Sequence, residues 1–146
     1  MRVDEYAPVV AKREIAVAAK PELVWELLTE VDHWAGWNPD VTSASQPDLR
    51  AGGVFRWKAG TVSITSTLCE VEPPRELGWT GTSMGMRAVH VWRLRPDGDR
   101  TIARTEESWT GLLARLLPGV MRRRLHRALD TWLDHLKAEA ERRSLY

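Results

Sequence analysis

The sequence predicts an α+β fold, in which a curved antiparallel sheet of seven strands wraps around a long C-terminal helix. Three observations predict it. A strand-like segment precedes a helical pair near the N-terminus, six short β-type segments follow, and the last part of the chain is apolar with helical period. With 146 residues, the chain is expected to form one domain, residues 1–146, with a full hydrophobic core.

The first strand is predicted over residues 13–19, an apolar and partly β-branched segment. A helix follows with Pro21 in its first turn, a position that tolerates proline. A second, shorter helix ends at the segment WAGW, and Asn38-Pro39 stops it because the residue before proline avoids helical angles. The apolar side of the two helices consists of Leu23, Val24, Leu27, Leu28, Val31 and Trp34.

From Val41 onward the pattern changes to short β-type segments separated by turn signals. The segments are VTSAS, GVFRWKA, TVSITSTLCEVE, ELGWTGT, MRAVHVWRLR and RTIARTEESWT. The strongest hairpin signal is PDGD, between the last two segments. Consecutive strands with tight links predict an antiparallel meander, so the first strand must return to an edge of the same sheet.

A long helix is predicted at the end of the chain, running to about Arg143. Pro118-Gly119 marks either its first turn or a kink. At 1.5 Å per residue the helix is roughly 39 Å long, enough to cross a curved sheet. Its apolar side consists of Leu117, Met121, Leu125, Leu129, Trp132, Leu136 and Ala140.

Composition excludes several classes of function. The 21 basic and 20 acidic side chains nearly cancel, so no nucleic-acid partner is indicated, and no stretch has the roughly 20 apolar residues of a membrane span. The one cysteine, Cys69, excludes a cysteine-cluster zinc site, and no other metal or cofactor motif is present. The absence of a signal-peptide pattern predicts a cytoplasmic protein. The basic run MRRRLHR is interpreted as a solvated helix face.

Eight tryptophans against two tyrosines and one phenylalanine are the unusual feature of the composition. A small core can be filled with Leu, Val and Ile, so this many wide rings indicate either walls that span a gap or a core that simply uses tryptophan. The segment WAGW places Trp34 and Trp37 just before a turn, where large rings gain little from burial unless something covers them.

The order of elements matches the helix-grip architecture, and four segments resemble the polyketide cyclase/dehydrase and lipid-transport family of the START-related superfamily. They are ELVWELLTEVDHWAGWNPDV, CEVEPPRELGWTG, VHVWRLRPDGDRTIARTEESWTG and RRRLHRALDTWLDHLKAEAE. The resemblance covers about residues 10–140. It implies that a small hydrophobic ligand is gripped between the sheet and the long helix. The tryptophan-rich interior and the length of that helix predict an internal cavity of roughly 300 to 1,000 Å³ between the sheet and the Leu125–Leu136 face.

Under this resemblance, Trp34 is expected to pack and Trp37 to line the cavity near its mouth. Strand alternation turns Ala88, His90, Trp92 and Leu94 inward, because the opposite face carries three arginines. Trp57 is expected to face the long helix. The full set of expected ligand-binding residues is Trp37, Trp57, Trp79, His90, Trp92, Trp109, Leu125, Leu129 and Trp132.

A carboxylate beside His90 could make it a general base, since histidine titrates near neutral pH. Glu106 and Glu107 on the next strand are the available partners, and they lie on opposite faces; the sequence leaves open which one points inward. His90 and Glu106 are the catalytic candidates.

The first functional hypothesis is a module that binds an aromatic or polycyclic molecule. The alternative is an aromatic polyketide cyclase or dehydratase that uses the same cavity. A third is a protein-interaction role, which requires an exposed apolar patch. Two inward titratable groups within hydrogen-bond reach would favour the enzyme, and a wholly apolar interior the binder. The sequence does not indicate the oligomeric state.

Overall fold

The computed structural model describes residues 1–145 and confirms the predicted order of elements. Strand β1 (Val9–Val17) leads into helix α1 (Pro21–Thr29) and a 3-10 helix (Val31–Gly36). The remaining elements are β2 (Val41–Ala44), β3 (Val54–Ala59), β4 (Val62–Glu72), β5 (Glu76–Ser83), β6 (Met86–Asp97), β7 (Arg100–Gly111), α2 (Leu112–Leu116) and α3 (Pro118–Ser144).

The seven strands form one antiparallel, curled sheet in the order β1-β7-β6-β5-β4-β3-β2. Consecutive strands from β2 to β7 are neighbours, as a meander requires, and β1 returns to pair with β7. The pairing extends from Val9 opposite Trp109 to Val17 opposite Thr101. Because β7 offers a long partner, β1 begins four residues before the predicted segment and ends earlier, at Val17.

Helix α3 provides the main apolar cover of the sheet. It begins at Pro118, so Pro118-Gly119 opens the helix rather than kinking it. The helix packs against β1 and α1, and Lys137 Nζ donates a hydrogen bond to the Ala16 carbonyl at 3.0 Å. Its buried side chains are Met121, Leu125, Leu129, Trp132, Leu133, Leu136 and Ala140.

The outer face of the sheet is partly covered as well, by residues 1–8. Val3 is buried, and Arg93 on β6 donates a hydrogen bond to the Met1 carbonyl at 2.6 Å. The Asp4 amide donates to Ser108 Oγ at 3.0 Å. As a result Val91, on the outer face of β6, is fully buried. The central strands therefore have two covered faces.

Helix α2 was not predicted. It follows β7 directly and starts after Gly111, whose φ of 120° lies in the left-handed region that favours glycine. A β-carbon at Gly111 would lie 2.5 Å from the carbonyl oxygen of Gly85. This close approach places the start of α2 beside the β5–β6 hairpin turn.

Candidate functional site

A pocket of about 610 Å³ lies between the inner face of strands β3 to β7 and the first half of α3. Its volume falls in the usual range of small-molecule sites. Tryptophan rings form much of its wall: Trp57, Trp79, Trp109 and Trp132 all line it. Exposed side chains at its rim, including Met84 and Arg87, open the pocket to solvent.

Behind this wall, the rings pack around Trp34. The centroid of Trp34 lies 4.9 Å from that of Trp132 and 5.5 Å from those of Trp57 and Trp79. The contacts with Trp132 and Trp57 are edge-on, a favoured arrangement for aromatic pairs. The indole nitrogen of Trp34 donates a hydrogen bond to the Leu28 carbonyl at 3.2 Å. Trp34 therefore packs, as expected, and holds the three wall rings from behind.

Five of the nine expected ligand-binding residues do not line the pocket. Trp92, Leu125 and Leu129 are fully buried in the solid core. Trp37 packs against Trp132. It borders a separate, smaller surface depression of about 360 Å³, which is also lined by Glu139 and Arg143. His90 lies behind the wall, 2% exposed. The pocket borders α3 through Met121, Arg124, Arg127, Ala128 and Trp132. Of the predicted Leu125–Leu136 face, Trp132 lines the pocket, and the three leucines do not.

Among the polar residues that line the pocket, Glu107 on β7 is paired with a buried histidine. In the sheet register Glu107 lies opposite His90 on β6. Glu107 Oε1 lies 3.0 Å from His90 Nδ1, and the indole nitrogen of Trp109 donates to Glu107 Oε2 at 2.7 Å. On the far side of the imidazole ring, His90 Nε2 lies 2.7 Å from Thr105 Oγ1. Glu107 lines the pocket, so the chain of groups runs from the ligand space into the core.

Burial changes the titration of both groups. Burial raises the pKa of Glu107 to about 7, against the opposing hydrogen bond from Trp109. Burial also lowers the pKa of His90 to about 3. His90 is therefore neutral near pH 7, and Glu107 changes charge there.

The proton on Glu107 sets the tautomer of His90. When Glu107 is protonated, its hydroxyl donates to His90 Nδ1, and His90 Nε2–H donates to Thr105. When Glu107 is ionised, His90 Nδ1–H donates to the carboxylate, and Thr105 donates to Nε2. Both nitrogens of the His90 ring keep a partner in either arrangement, so loss of the proton from Glu107 requires no change of partner.

Glu106 is not the partner of His90, which corrects one catalytic candidate. It lies on the outer face of β7, opposite Val91. There its carboxylate is 2.6 Å from Arg93, 3.3 Å from Arg104 and 3.5 Å from Lys12. A carboxylate held by three cations outside the sheet has no access to the pocket.

Other lining residues were not predicted as site residues. Met86 and Met121 add flexible apolar surface, and Ser66 accepts a hydrogen bond from the indole nitrogen of Trp57 at 3.1 Å. Alternation along β4 could have placed Ser66 on the inner face. Arg124 and Arg127 at the rim could have been placed there only with knowledge of where α3 crosses the sheet.

Glu70, Glu72 and Glu76 form a group of three carboxylates, whose oxygens lie within 4.8 Å of one another. Cations of the protein itself already face this cluster. The Met1 amine is 3.8 Å from Glu70, and Arg93 is 3.4 Å from Glu76. In residues 1–145, no helix has the length and apolar character needed to cross a bilayer.

The family model described as polyketide cyclase / dehydrase and lipid transport matches residues 8–141 of the chain. No curated protein matches the chain in sequence.

Solved structures share the fold at low sequence identity. A hypothetical protein from Helicobacter pylori has a TM-score of 0.83 and 19% identity, with 93% of this chain and 90% of that one covered. A START superfamily protein from Mycobacterium smegmatis has a TM-score of 0.78 and 13% identity, with 91% and 97% covered. The Zhui aromatase/cyclase from a Streptomyces species has a TM-score of 0.77 and 22% identity, with 92% and 94% covered.

Proposed function

This chain belongs to the polyketide cyclase/dehydrase and lipid transport family, and on that premise we propose that it binds a small, apolar, aromatic or polycyclic molecule in the pocket between the sheet and α3. The observation that carries the proposal is the wall of Trp57, Trp79, Trp109 and Trp132 around about 610 Å³. Flat rings bury large areas and favour other rings. Three of these rings are held from behind by Trp34, so most of the wall is organised before a ligand binds.

Ala128→Trp is expected to fill the pocket and abolish ligand binding while the protein still folds. Ala128 lines the pocket on α3, and a large ring there would occupy the space of the ligand. The measurement is the affinity of the purified protein for a fluorescent naphthalene sulfonate dye. Native mass spectrometry of wild-type protein should in parallel identify a co-purified molecule.

Ala138→Trp is the matched control, since Ala138 is exposed on the same helix and does not line the pocket. It should bind the dye like the wild-type protein. Equal dye affinity in wild-type protein and Ala128→Trp would place the binding site elsewhere and contradict the proposal.

A second candidate function is acid–base catalysis on the bound molecule, and the Glu107–His90 pair favours it. A carboxyl group with a pKa near 7 can both take up and return a proton at neutral pH. On a poly-β-ketone, ionised Glu107 would take a proton from a carbon between two carbonyls. That carbon would then attack a carbonyl carbon of the same chain, and the resulting alkoxide would take the proton back from Glu107. His90, behind the wall, would position Glu107.

Under this second function, Glu107→Gln should lower turnover of a cyclised substrate by roughly 10²- to 10⁴-fold with affinity little changed, because an amide cannot carry the proton. His90→Gln should act indirectly and shift the pH profile of the rate more than the affinity. The measurement is the rate of cyclisation of a short poly-β-ketone across pH. Turnover that persists in Glu107→Gln would show that Glu107 is not the proton carrier, and the absence of turnover in wild-type protein would leave binding as the function.

A further inference from the structure

We propose that the surface beside the pocket mouth docks on an anionic lipid bilayer. The docking surface consists of the β5–β6 hairpin turn at Met84, helix α2, and the first turns of α3. Exposed large apolar side chains concentrate here: Met84, Leu112, Leu113, Leu116, Leu117 and Val120 are six of the ten found in residues 1–145. The proposal rests on this surface and does not depend on the ligand of the pocket.

The exposure of these side chains is high. Met84 is 75% exposed, Leu112 67% and Leu116 66%. Single exposed leucines are ordinary on a protein surface, but a contiguous group of them marks an interaction site. The close approach of Gly111 to Gly85 places the hairpin turn next to the start of α2, so the two segments form one surface.

The hairpin turn gives an independent indication. Met84 has a φ of 51°, in the left-handed region, and Gly85 follows with a φ of 74°. Two-residue hairpin turns with these angles strongly favour asparagine or aspartate at the first position. Met84 is unfavourable at this position and places an apolar side chain in water. It therefore indicates a role other than stabilising the turn.

The positive charge of the surrounding surface indicates an anionic partner. In the part of the chain that the structure describes, Arg115, Arg123 and Arg124 form no ion pair with a carboxylate, and all three are exposed. Leucines that insert between acyl chains, flanked by arginines at headgroup level, are the pattern of proteins that bind an anionic membrane interface. The first residue of α3 that offers a carboxylate is Asp130, three helical turns beyond Pro118.

The docking surface includes residues that also line the pocket. Met84, Leu113 and Arg124 belong to both. A bilayer bound here would cover the mouth, and an apolar molecule could pass between membrane and pocket without crossing water. This arrangement gives the basic run of α3 a role beyond that of a solvated helix face.

The test is co-sedimentation of the full chain with vesicles. We expect binding to equimolar phosphatidylcholine and phosphatidylglycerol, little binding to phosphatidylcholine alone, and weaker binding at high salt, which screens exposed charges. The double variant Leu112→Gln/Leu116→Gln should weaken binding by about tenfold or more. Arg115→Gln/Arg123→Gln should weaken it by roughly thirtyfold, about fivefold for each charge.

The matched control is Leu49→Gln/Arg50→Gln, in the loop before β3. Leu49 is 47% exposed, and Arg50 is exposed beside it, but neither belongs to the docking surface. This variant should bind vesicles like the wild-type protein. All of these positions are exposed, so unfolding curves should change little.

Three outcomes would overturn the proposal. The first is the absence of vesicle binding. The second is equal binding to neutral and anionic vesicles. The third is a wild-type dimer in solution that Leu112→Gln/Leu116→Gln dissociates, without vesicle binding; the surface would then be an interface between two copies of the chain.

Discussion

A chain that ends at Leu117 is expected to show no cooperative thermal unfolding transition. Truncation removes α3, and with it the buried side chains that cover the inner face of the sheet: Met121, Leu125, Leu129, Trp132, Leu133, Leu136 and Ala140. Each large side chain contributes about 1.5 to 3 kcal/mol on burial. Their combined loss matches or exceeds the net stability of about 5 to 15 kcal/mol typical of a domain.

Truncation also removes the ring that the other tryptophans pack against. Trp132 contacts Trp34 at 4.9 Å and Trp37 at 5.6 Å between ring centroids. Without it, the wall of the pocket and the ring behind it are exposed together. The measurement is circular dichroism against temperature, with near-ultraviolet signals to report packing of the tryptophan rings.

A chain that ends at Ser144 is the control. It loses Leu145, which is exposed, and keeps every buried residue of α3. Its transition should match that of the full chain. A sharp transition in the chain that ends at Leu117 would mean that the sheet is stable without its helix, and that α3 serves the pocket more than the fold.

The fold could be predicted from the sequence because its signals are local. Turn residues such as PDGD separate the strands, and tight links leave a meander as the simple arrangement. The apolar period of the last 29 residues predicts a helix with one buried side. These signals can be read without knowing which elements pack against each other in the folded protein.

The inner face of β7 could not be predicted, since both of its faces are covered. Thr105 is buried inside and Ser108 outside, beneath residues 1–8. The alternation of apolar and polar residues along a strand identifies the core face only when the other face is exposed to solvent. The choice between Glu106 and Glu107 therefore depended on a contact between the N-terminal residues and the sheet, more than 90 residues apart in sequence.

The extent of the pocket could not be predicted for a similar reason. Helical period identifies the buried side of α3, but not which part of that side borders open space. Leu125 and Leu129 are buried in solid packing, whereas Ala128 and Trp132 border the void. Helix α2 could not be predicted, because most of its leucines are exposed to solvent and their spacing does not indicate a buried helix face.

Glu107→Gln is expected to make the protein more stable than wild type at pH 8, by up to about 3 kcal/mol, while the two are similar near pH 4.5. Burial raises the pKa of Glu107 from 4.5 to about 7, and its side chain is only 13% exposed. The folded state therefore keeps a proton that the unfolded state releases between these values. Wild-type stability falls as pH rises through this window.

The variant should behave like the protonated form of Glu107 at every pH. A glutamine at position 107 can accept from Trp109 with its oxygen and donate its amide hydrogen to His90 Nδ1. Both contacts survive, so no buried group loses its partner. The measurement is the free energy of unfolding in urea, from pH 4.5 to pH 8, for both proteins.

His90→Gln is expected to change the pH dependence of stability in the opposite direction. Burial lowers the pKa of His90 from 6.5 to about 3. Below pH 6.5 the unfolded state therefore binds a proton that the folded state does not bind. Wild-type stability falls as the pH drops through this range. Relative to wild type, His90→Gln should therefore gain stability toward acid, and Glu107→Gln toward base. Parallel curves for wild type and Glu107→Gln across the whole range would mean that folding does not raise the pKa of Glu107, so that its carboxylate is ionised in the folded protein at neutral pH. That result would also remove the raised pKa that favours Glu107 as a proton carrier at neutral pH.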